Sequence, residues 1–226
     1  MKQPAIIIYG PPGSGKGTQA NLLAHRLGLI HFDTGTYLEN VVNDPANKNN
    51  QKIQKEKKNF EAGVLIDPKW VLGIVKTRAK QIHQAGFGVV FSGSPRTLLE
   101  VSGVGKIEGL ISFLEKIYGR KNIYMFSLQI SAADSLKRNR TRLISPLTGL
   151  PLMGQNIKLK TCPFTGGPLK KRSLDKPEII EHRLVEYANR TKPVLKALTS
   201  LGYKINEIDG RPLPYKVHES IMRRLK

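Results

Sequence analysis

The sequence is poor in cysteine, in tryptophan, in acidic side chains and in long apolar runs. Cys162 is the single cysteine of 226 residues, which excludes an intrachain disulfide and fits a reducing compartment. The five histidines show no ligand spacing, so no metal site built from protein side chains is expected. The first apolar run, Ala5-Ile6-Ile7-Ile8-Tyr9, is broken at once by Gly10-Pro11-Pro12. It is too short for a signal peptide or a membrane span, and the expectation is a soluble, cytoplasmic chain that makes no membrane contact. Trp70 and the other aromatics are not interleaved with the basic clusters, and read as packing residues, not as a base-stacking platform.

Acid is the most telling shortage. Asp and Glu number 17 against 37 Lys and Arg, for a formal net charge of +20. Lys48, Lys52, Lys55, Lys57 and Lys58, and the tail Arg223-Arg224-Lys226, are candidates for contact with RNA, a ribonucleoprotein or another anionic surface. Any one cluster taken alone reads rather as a solvated basic face, and it is the total that points to a polyanionic partner. The apolar content, 39%, suffices for one α/β core with small appendages.

What is present alternates. Ala5 to Tyr9 is continuous, β-branched and ends at glycine and proline, as a buried parallel strand does. Ala20, Leu23, Ala24 and Leu27 recur at helical spacing after Lys16. Further strands are predicted at Gly88 to Phe91, Ile123 to Leu128 and Tyr203 to Ile208, between helical patterns near 69–84, 106–117, 132–143, 177–199 and 214–225. That alternation predicts a parallel sheet covered on both faces. Asn43 to Asn59, polar and lysine-rich, suits a helical flap, and Ile144 to Arg172, rich in proline and glycine, a loop-built lid.

Gly10-Pro11-Pro12-Gly13-Ser14-Gly15-Lys16 matches G-x-x-x-x-G-K, and Gly17-Thr18 follows where the strictest pattern has Ser or Thr directly. Glycines let the backbone approach phosphate oxygens, and successive N–H groups form an anion nest at a helix N-terminus. Lys16 would neutralise the outer phosphates, and the Thr18 hydroxyl would lie nearest Mg²⁺ or a phosphate oxygen. Gly10, Gly13, Ser14, Gly15, Lys16, Gly17 and Thr18 are therefore the expected nucleotide-binding residues.

Gly10 to Gln19, read as GPPGSGKGTQ, resembles the phosphate loop of adenylate kinases and related nucleoside monophosphate kinases. The likeness continues through His31-Phe32-Asp33-Thr34-Gly35 and Glu61 to Ile66, which resemble the two ends of that family's monophosphate flap. It extends to Val89 to Thr97, to Arg138 and Arg142, to Arg172, Asp175 and Arg183 to Tyr187, and to Ile208-Asp209-Gly210. The resemblance implies a single P-loop three-layer α/β domain, with a five-stranded parallel sheet flanked by helices. Its core would be 1–33, 68–143 and 173–226, its flap about 34–67 and its lid about 144–172. It implies a monomer that transfers phosphoryl from ATP, with Mg²⁺ held mainly by phosphates and water, to a nucleoside monophosphate. Lys16, Arg96, Arg142, Arg172 and Arg183 would be catalytic. Arg138 and Arg142 would hold the donor, and Thr34, Glu39, Ile66, Gly93, Arg96 and Glu100 would bind the acceptor. Asp175 beside Arg172 reads either as part of the catalytic lid or as a surface ion pair.

The acceptor side departs from the resemblance. Glu39 stands where it leads to an arginine, and an anion there repels a phosphate unless it turns away or pairs with a cation. Glu100 stands in place of a base-reading glutamine and, accepting only, would suit guanine. Ser94 replaces a phenylalanine. Ser92 replaces an aspartate that orders the waters around Mg²⁺. Asp33 reads first as a helix cap, but would restore that charge if its strand end lay beside Ser92. In the lid, one cysteine among Ser145, Thr148 and Thr165 is no structural zinc site, and Cys162 is expected as a small apolar filler in a hydrogen-bonded lid. Two readings stand: a nucleoside monophosphate kinase with an altered acceptor site, or a catalytically weakened nucleotide-binding protein serving as a basic interaction module.

Overall fold

The computed structural model describes residues 3–152 and 159–225. Five parallel strands, β1 (Ala5–Tyr9), β2 (Ile30–Phe32), β3 (Val89–Ser92), β4 (Ile123–Gln129) and β5 (Ile205–Asp209), form a sheet in the order β2-β3-β1-β4-β5. β1 is central and wholly buried, paired through Ala5 with Val89 on one side and Ile123 on the other. Because side chains alternate along a strand, Ile6 and Ile8 enter one apolar cluster, with Leu23, Phe126 and Ile221. Ala5, Ile7 and Tyr9 enter the other, with Leu72, Phe91 and Leu114. The first cluster lies under α1 (Lys16–Leu27) and α10 (Pro214–Met222). The second lies under helices that include α4 (Pro68–Gln84), α6 (Leu110–Tyr118) and α9 (Lys192–Ser200). The expected three-layer architecture is what the chain adopts.

Two helical expectations need correction. The pattern at 106–117 becomes a helix only from Leu110, preceded by α5 (Leu98–Ser102) and a small hairpin in which Gly103–Val104 pairs antiparallel with Ile107–Glu108. Gly103 has φ 79°, and a Cβ there would lie 2.0 Å from the Ile107 carbonyl, so the chain turns where periodicity alone would continue. The pattern at 177–199 is α8 (Pro177–Glu186) and α9, joined by a π-helical turn at Tyr187–Thr191. Pro193 opens α9 and lacks the N–H that the preceding turn would use, and the widened turn absorbs that mismatch. β2 was not among the strands read from the pattern: it has three residues, of which only Phe32 is buried.

Residues 34–67 form α2 (Thr34–Asn43), a 3₁₀ turn at Pro45–Asn47 and α3 (Gln51–Glu61). Asp33 and Asn50 cap the two helices through side-chain oxygens, and Lys48, Lys52, Lys55 and Lys58 stand exposed. After α7 (Ala132–Thr141), Leu143–Ile144 pairs with Pro151–Leu152, and Ile144 bridges to Lys170. Two similar phrases in this segment, Pro146-Leu147-Thr148-Gly149 and Pro163-Phe164-Thr165-Gly166, form matching turns, Gly149 N–H to Ser145 O and Gly166 N–H to Cys162 O, both at 2.8 Å. Cys162 is buried in the lid, and a hydrogen bond from Thr165 lowers its thiol pKa to about 7. Among the described residues, no helix is long and apolar enough to cross a membrane.

Candidate active site

The C-terminal ends of β1, β2 and β3 open beneath a cleft of about 640 Å³, where ligands of open α/β sheets bind. β1 stops at Tyr9 because the chain must turn sharply under it. Gly10 has φ 147°, and a Cβ there would meet Ser14 Oγ at 2.5 Å and the Leu128 carbonyl at 2.8 Å. Gly13 and Gly15 also have positive φ, and α1 then begins at Lys16 with no acidic residue in its first turn, so its N-terminal N–H groups are free to meet an anion. The Lys16 ammonium donates to Gly10 O at 2.7 Å and Pro11 O at 2.9 Å. The loop is buttressed by α7: Ser135 Oγ donates to Pro12 O at 2.6 Å, and buried Asn139 packs against Gly13.

Cations dominate the wall. Lys16, Arg96, Arg138, Arg142, Lys170, Lys171, Arg172 and Arg183 line it, against the carboxylates Asp33, Glu39 and Glu186. Burial, then the neighbouring Arg172, Arg96 and Arg142, pushes the Arg183 guanidinium down to about 9. Burial, then Arg96 and Arg183, lowers Lys16. Burial also lowers Arg96, with Glu100 and Asp33 opposing. A set of cations that repel one another this strongly is built to hold a polyanion.

The expected site residues divide into two groups. Gly10, Gly13, Gly15, Lys16, Gly17, Thr18, Glu39, Gly93, Arg96, Arg138, Arg142, Arg172 and Arg183 all line the cleft. Ser14, Thr34, Ile66 and Glu100 lie behind the wall, each at most 5% exposed. The hydroxyls of Ser14 and Thr34 have no protein partner. Glu100 differs from expectation: its carboxylate accepts the Arg96 N–H at 3.2 Å and the Thr97 hydroxyl at 3.0 Å. It fixes the loop that carries Arg96 and does not present itself to a base edge.

The ion pairs also differ. Asp175 pairs with Arg142, which donates through Nε at 2.8 Å and through a second nitrogen, and not with Arg172. A 3₁₀ turn over Ser173–Asp175 carries the carboxylate inward, while Arg172 reaches across to Glu39 at 2.9 Å. Glu39 thus pairs with a cation, an arginine from the far side of the cleft. Arg138 donates to the carbonyls of Gly210 and Arg211, both at 2.8 Å, so its donors serve the loop after β5.

Sequence reasoning missed a polar relay beneath the loop. His31 contacts Asn21 Oδ1 through Nδ1 and Ser92 Oγ through Nε2, each at 2.6 Å, and burial lowers its pKa. A histidine directly before a buried strand residue was the available signal. Ser135 and Asn139, polar on the inner face of α7, were equally legible as buried polar groups in need of partners.

A parallel sheet ending in a glycine-rich phosphate loop, under a cleft where cations outnumber carboxylates, defines a P-loop nucleotide-binding protein. A family model described as adenylate kinase matches residues 8–203. An adenylate kinase of Chlamydia pneumoniae is 33% identical over 222 residues, covering 98% of this chain and 97% of that protein. One from Pelobacter propionicus is 34% identical over 209 residues, covering 91% and 89%, and one from Methanothrix thermoacetophila 30% identical over 204 residues, covering 89% of each. The chain belongs to the adenylate kinase family, and it is a phosphotransferase.

Proposed function

We propose that the protein transfers the terminal phosphoryl group of ATP to a nucleoside monophosphate, with AMP as the acceptor that its relatives' name points to. One observation carries this reading: Lys16, Arg96, Arg142, Arg172 and Arg183, from separate segments, line one cleft with the phosphate loop. Phosphoryl transfer requires in-line positioning and cations around the moving group, with no special nucleophile. The loop and Lys16 hold the donor phosphates, and Arg138 and Arg142 flank the donor. Arg96, on the loop after β3, holds the acceptor phosphate. Arg172 and Arg183 face the transferring group. The engagement of Glu100 with Arg96 and Thr97 leaves less of its carboxylate to read a base edge, which supports AMP over GMP as the acceptor.

Mg²⁺ fits the donors on offer. Among the described residues no three His, Cys, Asp or Glu side chains cluster, but Thr18, Asp33 and Ser92 line the same cleft, and the buried Ser14 hydroxyl behind the loop has no protein partner. A few oxygens with water and phosphate are what this ion accepts. When bound, it neutralises charge on the donor phosphates.

The test pairs ATP with AMP, GMP, CMP and UMP in turn. AMP is expected to be phosphorylated fastest. If none is phosphorylated while ATP still binds, the kinase reading fails and a nucleotide-binding module with a basic surface takes its place. Glu39 sets the acceptor affinity. It neutralises Arg172 and adds a negative charge to the wall, so Glu39→Gln is expected to lower the KM for the monophosphate about tenfold, with the KM for ATP little changed. Initial-rate kinetics with each substrate varied would show the split.

A further inference from the structure

Three carboxylates line the cleft, and each is engaged by the protein. Glu39 is paired with Arg172, and Glu186 accepts the Leu65 N–H at 3.2 Å. Asp33 is different. Its Oδ1 accepts the N–H groups of Gly35 at 2.9 Å and Thr36 at 3.2 Å, which locks the side chain as the cap of α2. Its Oδ2 lies 3.9 Å from where a Cβ on Gly17 would sit, at the start of the helix that meets the phosphates. The register of β2 with β3, Phe32 opposite Phe91, brings the next residues, Asp33 and Ser92, to the same edge of the sheet.

The relay under Ser92 gives its hydroxyl a direction. The Asn21 amide oxygen only accepts, so the Nδ1 of a neutral His31 carries the hydrogen and Nε2 must accept. The Ser92 O–H therefore points at His31, and its lone pairs are left to accept from a water on the cleft side. An anchored carboxylate oxygen and a hydroxyl fixed as acceptor, side by side beneath the phosphate loop, are complementary to the hydrogens of metal-bound water.

We propose that Asp33, with Ser92 held as an acceptor by Asn21 and His31, orients the waters of the Mg²⁺ that accompanies ATP, so that the ordering carboxylate of this protein sits at the end of β2. The inference rests on the ATP-binding reading above. Asp33 is a positioning residue: it acts through water.

The experiment is calorimetric titration of ATP, in excess Mg²⁺ and in EDTA, into wild type, Asp33→Asn and the double variant Asp33→Asn/Ser92→Asp. Asparagine keeps a capping oxygen, so the cap of α2 is retained while Oδ2 gives way to an uncharged N–H donor. In wild type Mg²⁺ strengthens ATP binding. In Asp33→Asn that gain falls about 10- to 100-fold, while metal-free ATP binds more tightly because a repelling carboxylate has gone. These opposite signs are not what a merely structural role would give. The double variant recovers the Mg²⁺ gain. Long-range ¹H–¹⁵N spectra of wild type are expected to show His31 protonated at Nδ1 only. An unchanged Mg²⁺ gain in Asp33→Asn, or a proton on Nε2, overturns the proposal while leaving the kinase reading intact. Failure of wild type to bind ATP at all removes both.

Discussion

Lys16→Met is expected to lower the rate of phosphoryl transfer about 10³-fold or more without loss of the fold, and with a melting temperature equal to or above that of wild type. The two halves of this result have one cause. Lys16 is half-buried at the N-terminus of α1, and burial with the charges of Arg96 and Arg183 lowers its pKa. A lysine whose pKa is lower in the fold than in the unfolded chain destabilises the fold at every pH where the unfolded chain's lysine is charged, and that includes neutral pH. Its hydrogen bonds to Gly10 O and Pro11 O offset part of this. Methionine fills the same space without charge, so repulsion among the cations falls, while the group that would neutralise the outer phosphates is lost. Turnover assays and thermal melts on one preparation would check both. A fall in stability parallel to the fall in rate would show that Lys16 holds the loop and does not serve the phosphates.

Asp175→Ala acts in the opposite sense on stability. The Asp175 side chain is 3% exposed and Arg142 is 16% exposed, and the pair is joined by two hydrogen bonds. Removing one partner of a buried pair leaves the other charge uncompensated, at a cost of about 3 kcal/mol. Here the surroundings are hostile to it, because Arg142 already adds to the forces that depress Arg183. For a chain of this size about 3 kcal/mol corresponds to a melting temperature roughly 6–12 °C lower, to be read by calorimetry. A change under about 2 °C would mean that the cleft is wet enough to screen the pair.

The contrast between these residues shows what the sequence could and could not disclose. The phosphate loop was legible because its constraints are local: a buried strand, glycines at positive φ and a lysine at the helix start lie within a few positions of one another. The flanking helices and four of the five strands were legible for the same reason, through periodicity. β2 was not, since three residues with one buried side chain carry too little pattern. The arginines were visible by type and by resemblance, but their partners were not. Arg142 meets Asp175 and Arg172 meets Glu39 across long stretches of chain, and only the folded cleft decides which pairs form. Glu100 shows the same limit, as its capacity to accept was plain but the backbone N–H and hydroxyl that take it up belong to its own loop. Asp33 was readable as a cap, and its second oxygen gained meaning only when β2 was seen beside β3.

The central place of β1 also bears on how the protein is made. During vectorial synthesis the glycine-rich segment leaves the ribosome among the first residues, yet the neighbours that shape it come much later. Val89 and Ile123 flank Ala5, and Asn139 supports Gly13 from α7. A nascent chain stalled before β4 has no second wall for β1 and no buttress for the loop, and long-range parallel pairing of this kind forms slowly. Nucleotide affinity should therefore arise late in translation, once roughly the first 140 residues have emerged, and until then the most apolar strand of the protein is a natural client for chaperones.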